Sequence, residues 1–90
     1  MEFDWDRNKA AINLIKHKVS FQEASTVFDD PFAITFDDPD HSIFEQRDLT
    51  FGMTRTDKLL AVIHTEEKGM IRIISARHMT KQERKIYEEG

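Results

Sequence analysis

Leu59-Leu60-Ala61-Val62-Ile63-His64-Thr65 and Met70-Ile71-Arg72-Ile73-Ile74-Ser75-Ala76-Arg77 are two apolar, β-branched runs joined by Glu66-Glu67-Lys68-Gly69. Such a pair reads as a β-hairpin, and Gly69 supplies the positive φ that a short loop often needs. Each run carries apolar side chains at both odd and even positions, the pattern of a strand in the middle of a sheet. A polar or charged residue on such a strand needs a partner, because burial strips its hydration. His64, Arg72 and Arg77 are the residues in question, and a rigid strand end is a good mount for chemistry.

Outward from the hairpin, the spacing predicts a strand over Ile43–Met53, with Ile43, Glu45, Arg47, Leu49, Phe51 and Met53 on one face. By itself the Glu45–Arg47 pair reads as a surface salt bridge worth less than about 1 kcal/mol. Gly52 near the strand end marks a bulge or a close backbone approach. Phe32–Phe36 alternates as a further strand. Asp37-Asp38-Pro39-Asp40 is a turn that lacks the spacing of a calcium loop. At the N-terminus, Phe3–Asp6 is an entry segment or short strand, and Asp6 or Asp4 caps a helix over Arg7–Lys16. Ala11, Ile12 and Ile15 form that helix's expected buried stripe, while Lys9, Asn13 and His17 recur every four residues on a polar side. Ser20 and Glu23 make a capping box for a second helix over Phe21–Phe28, stopped by Asp29-Asp30-Pro31. Thr80 and Glu83 make another for a helix over Lys81–Glu89. The expected fold is α+β: two N-terminal helices, an antiparallel sheet of about four strands, and a C-terminal helix.

Ninety residues suit one domain, spanning 1–90. There is no cysteine, no membrane-spanning apolar run, and an acidic start unlike a signal peptide, which together suit the cytoplasm. The net charge of −4 argues against a generally basic nucleic-acid binder. Its distribution says more: residues 29–48 hold seven acids against Arg47, and residues 68–85 hold six bases against Glu83. Two solvated faces of opposite sign, or one basic binding surface, both fit that division.

No phosphate-binding glycine loop, paired cysteines or His-Glu-x-x-His occurs, and His17, His41, His64 and His78 lack metal-ligand spacing. No metal or cofactor is expected. Lys9, His17, Glu45, Arg47, His64 and Arg77 remain. That set suits metal-independent RNA cleavage, where the ribose 2′-hydroxyl is the nucleophile and the protein supplies a base, an acid and positive charge. A solvated helix face and ordinary ion pairs are the competing reading of the same residues.

The ordered series Phe3-x-Trp5-Asp6-x-x-Lys9-x-x-x-Asn13-x-x-x-His17-x-Val19-x-Phe21-x-Glu23-Ala24 resembles the opening of the BrnT toxin family. Val27-Phe28-x-Asp30-Pro31, Glu45-x-Arg47 with Gly52, His64-Thr65-Glu66, Arg72–Arg77 and Glu83-Arg84-x-x-Tyr87 extend the likeness from Phe3 to Glu89. The resemblance implies a RelE-like fold and a type II toxin–antitoxin ribonuclease that cleaves RNA and inhibits translation. It implies a BrnA-like antitoxin with a ribbon-helix-helix part, DNA contact only through that complex, and no membrane partner. It also implies a catalytic site drawn from Lys9, His17, Glu45, Arg47 and Arg77. The chain departs from the family pattern at Glu67, where an Arg is expected, and at Gln46, a spacer between two residues expected to adjoin. A degenerate homologue that only binds antitoxin and represses is the alternative.

Three expectations follow. Lys9, His17, Glu45, Arg47 and Arg77 should converge on one surface. All three helices should lie on one sheet face, leaving an apolar or mixed groove on the other for the antitoxin. Arg77→Ala should cut cleavage by about 10²-fold with folding intact, unless Arg77 pairs with an acid such as Glu83 and braces the last helix.

Overall fold

The computed structural model describes residues 1–38 and 46–90. In chain order the elements are β1 (Glu2–Trp5), α1 (Arg7–His17), α2 (Phe21–Ser25) with a 3-10 turn at Thr26–Asp29, and β2 (Ile34–Asp37). Then come β3 (Asp48–Met53), β4 (Leu59–Glu67), β5 (Met70–His78) and α3 (Lys81–Glu89). The strands form one sheet in the order β1-β5-β4-β3-β2. The hairpin is central, as its two-sided apolarity requires. Lys68 (φ 54°) and Gly69 (φ 82°) make a two-residue turn with positive φ at both positions, whose twist matches the flanking strands. The strands therefore run on to Glu67 and His78.

Three expectations need correction. The sheet has five strands and is mixed, because β1 is a true strand pairing parallel with β5, Phe3 opposite Ile71 and Trp5 opposite Ile73. Phe3 and Trp5 alternate inward there and pack on the core. Second, the helices occupy both sheet faces. The main core joins Val19, Phe21, Ala24 and Val27 to Leu60, Val62, Ile71, Ile73 and Ala76. The opposite face carries Phe51, Ala61 and Met79, with Leu49, Leu59 and Tyr87 packed on them, so α3 covers one end of it. A hydrogen bond of 2.6 Å from the Tyr87 hydroxyl to Asp30 ties α3 down. Third, α1 is rotated from its expected setting. Ala10 packs on the core and Asn13 is buried, while Ile12 and Ile15 are 61% and 74% exposed.

The rotation has a polar cause. β1 ends opposite Ile73, so among the described residues no strand pairs with the edge of β5 beyond it on that side. The Asn13 amide fills the place: its Nδ2 donates to the Ala76 carbonyl (2.8 Å) and the Val19 carbonyl (3.0 Å), and the Ala76 N–H donates to its Oδ1 (3.1 Å). Buried backbone groups must be satisfied, and this demand outweighs the burial of two aliphatic side chains.

The caps behave largely as their residues dictate. Asp6 accepts from the Lys9 N–H at 2.9 Å, and Ser20 from the Glu23 N–H at 3.0 Å. Thr80 and Glu83 close a full capping box. The Glu23 carboxylate turns to Lys58 (3.1 Å) and Thr56. The second helix tightens to 3-10 after Ser25, and β2 starts at Ile34, two residues late. Gly52 marks a close approach, since a Cβ there would lie 2.9 Å from the Val27 Cβ. Of the strand expected over Ile43–Met53, the stretch Asp48–Met53 forms and Ile43–Glu45 lie outside the described residues.

Candidate active site

One detail of the hairpin decides which side chains share a face. Ile63 pairs with Ser75 but His64 pairs with Ile73, so Ile74 is an extra, bulged residue. The bulge shifts the alternation of β5. Ile71, Ile73 and Ala76 face the main core, while Arg72, Ser75 and Arg77 face the other way.

At the bulged edge, α1 and β5 enclose a shallow groove of about 180 Å³. Lys9, Ile12, Asn13, Lys16 and His17 line it from the helix, and Ile74 and Ser75 from the strand. Asn13 sits one turn from both Lys9 and His17, and its three hydrogen bonds fix the helix against the strand. Lys9 and Lys16 are exposed and His17 is half-buried. The groove thus brings together two expected site residues, Lys9 and His17, and adds Lys16 and Ser75. Lys16 was within reach of the sequence, seven residues from Lys9 on one helix. Ser75 was not, because its direction depends on the bulge.

From Ser75 the half-buried part of the sheet face runs across β4 and β3 through Ile63 and Leu49, which pair in register. Arg47 lies one residue before β3. Its carbonyl accepts from the Asp38 N–H at 2.9 Å, continuing the β2–β3 ladder. Alternation from Leu49 puts Arg47 on the same face, two strands or roughly 10 Å across from β5. Glu45 lies outside the described residues.

Arg77 shares this face but is already engaged. Its Nη1 and Nη2 donate to the two carboxylate oxygens of Glu83, at 2.6 and 2.9 Å. The forked pair holds the Glu83 carboxyl below its usual range and raises the guanidinium further. The pairing with Glu83 anticipated as the alternative is therefore present, and Arg77 does not line the Lys9–His17 groove. Arg72 is likewise paired, with Asp4.

His64 belongs to the opposite face and is 2% exposed. Its Nε2 is 2.7 Å from the Thr50 hydroxyl, which is 2.7 Å from that of Thr35. The Phe28 ring meets it edge-on at 4.8 Å. Burial pushes its pKa down against the opposing pull of Asp48 and Glu66. This histidine is a core residue that the groove does not reach.

Among the described residues, no three His, Cys, Asp or Glu side chains gather as a metal-binding group, and no helix is long and apolar enough to cross a membrane. No curated relative matches the chain. The fold is similar to the crystal structure of the Brucella abortus ribonuclease toxin BrnT, with a TM-score of 0.69 at 21% identity, covering 90% of this chain and 99% of that one. The family model for the ribonuclease toxin BrnT of type II toxin–antitoxin systems matches residues 5–83. With the match spanning both core faces and the groove between α1 and β5, the chain belongs to the BrnT family of ribonuclease toxins.

Proposed function

We propose that the chain, acting as one domain in the cytoplasm, cleaves RNA without a metal and draws its reacting groups from the groove and the sheet face beside it. The observation that carries this is the meeting of Lys9, Lys16, His17 and Ser75 along the bulged edge of β5. Cations on one side of a groove hold a phosphate, and an imidazole beside it can accept or donate a proton. Across the face, Arg47 adds forked positive charge, and Glu45, two residues before it in the chain, is proposed as a second proton carrier.

In the reaction the ribose 2′-hydroxyl gives its proton to a base and its oxygen bonds to phosphorus. The bond from phosphorus to the 5′-oxygen breaks, and that oxygen takes a proton from an acid. His17 and Glu45 are the pair proposed for these two transfers. Lys9 and Arg47 offset the charge that grows on the phosphorus oxygens, the part of such catalysis that fixed charge supplies best. Arg77 is proposed as the brace of α3 rather than a phosphate ligand, since Glu83 takes both prongs of its fork. The partner is proposed to be a BrnA-like ribbon-helix-helix antitoxin, whose complex with the toxin represses their own operon.

The test is cleavage of a defined RNA by the purified chain, with and without EDTA. Cleavage should persist in EDTA and leave 2′,3′-cyclic phosphate ends. His17→Ala and Lys9→Ala should each lower it by about 10²-fold or more with melting unchanged. Cleavage abolished by EDTA, or full activity in both variants, overturns the proposal.

A further inference from the structure

The aliphatic residues that α1 turns away from the core define a second surface. Ile15 is 74% exposed, Ile12 61% and Leu14 49%, on a helix of only eleven residues. Helical geometry sets Ala11, Ile12 and Ile15 in one outward strip. Lys9 and Lys16, seven apart, flank it on the groove side, Arg7 flanks it on the other, and Lys18 follows as the helix C-cap. Residues 7–18 contain no Asp or Glu, although the whole chain carries a net charge of −4. An exposed aliphatic strip with basic edges is complementary to an amphipathic segment with acidic edges.

Size argues for the kind of partner. Eleven residues make a helix of about 16 Å. A strip that long and one side chain wide covers on the order of 150 Å², against about 800 Å² per partner in a stable standard interface. Two rigid copies of this chain meeting on α1 alone would bury too little. A longer segment that anchors on the strip and continues over the adjoining groove would bury more.

We infer that the antitoxin seats an acidic amphipathic segment on the outward face of α1, with Ile15 at the centre of the contact. Its acidic side chains meet Lys9 and Lys16, so the seated segment closes the groove to RNA. The docking rests on family membership. Only the blocking of cleavage rests also on the function proposed above.

The test uses the full chain and the antitoxin encoded with it, in titrations of binding and of RNA cleavage. Ile15→Glu leaves the core and the groove lining untouched, so melting and RNA cleavage by the free variant should match the parent. Its affinity for the antitoxin should fall about tenfold or more, the scale of losing a central anchor, and arrest of its cleavage should need correspondingly more antitoxin. Ile15→Leu should keep the parent's affinity, and added salt should weaken the parent complex. Equal antitoxin affinity in the parent and Ile15→Glu overturns the inference. So does self-association that Ile15→Glu abolishes while antitoxin binding stays intact, which would make a second copy the occupant. A chain that fails to cleave RNA yet loses the antitoxin on Ile15→Glu supports the docking and removes the cleavage reading.

Discussion

Arg77 and Glu83 join a strand end to a helix start through two charge-assisted hydrogen bonds. Their side chains are 35% and 17% exposed, so the carboxylate is the more buried partner. Removing the guanidinium takes away both forked bonds and leaves the Thr80 N–H bond to the Glu83 carboxylate. Arg77→Ala should therefore cost about 1–2 kcal/mol, visible as a lower melting temperature, and Glu83→Gln should cost a similar amount. RNA cleavage per folded molecule should stay within about tenfold of the parent, because a positioning loss falls short of losing an oriented donor. If Arg77→Ala melts like the parent and cleaves about 10²-fold more slowly, Arg77 is a phosphate ligand and the ion pair is incidental.

At the scale of elements, α1 shows most clearly what sequence periodicity can and cannot say. The helix was legible from its Asp6 cap to Lys16, one residue short of its end at His17, and so was the shared side of Lys9, Asn13 and His17. Its rotation was not, because Ile12 and Ile15 carry the stronger apolar signal while Asn13 carries the stronger energetic one. No pattern of side chains reveals that β1 stops short and leaves the Ala76 backbone needing a partner. The stability scale should invert the periodicity. Asn13→Ala should cost about 2–4 kcal/mol, the result of stranding buried backbone groups, whereas Ile15→Ala should cost less than about 0.5 kcal/mol, as exposed positions do. Urea titration of both variants checks this, and a larger loss at Ile15 would return α1 to its expected setting. The hairpin and the Thr80 capping box were legible because their signals are local. The place of α3 on the far face, the parallel pairing of β1 and the outward turn of Ser75 were not, since each depends on contacts or a bulge far along the chain.

Across the whole molecule, the shifted groups predict an acid limb in two stages. Burial lowers the His64 pKa below 6.5 in the folded chain, so at mildly acid pH the unfolded chain binds the extra proton and the folded chain resists it. The stability contributed by neutral His64 is complete above about 6.5 and drains away as pH falls below it. The carboxylates titrate later. The Thr56 and Lys58 hydrogen bonds hold Glu23 below 4.5 against its partial burial, and the Arg77 fork does the same for Glu83. For Asp30, partial burial raises the carboxyl, but bonds from Tyr87, Met53 and Phe32 outweigh it and hold it below 3.8. A depressed carboxylate stabilises the fold above its unfolded pKa, and the benefit is lost as pH falls through its folded value. Denaturation midpoints measured from pH 8 to pH 3 should thus decline gently from about pH 6.5 and steeply below about 4.5. Replacing His64 with Gln keeps a polar group that can bond to Thr50 but removes the titration. The gentle upper decline should flatten in that variant, while the lower one persists. An unchanged upper decline would mean that a histidine outside the core controls it, and that burial of His64 has little consequence for the stability of the fold.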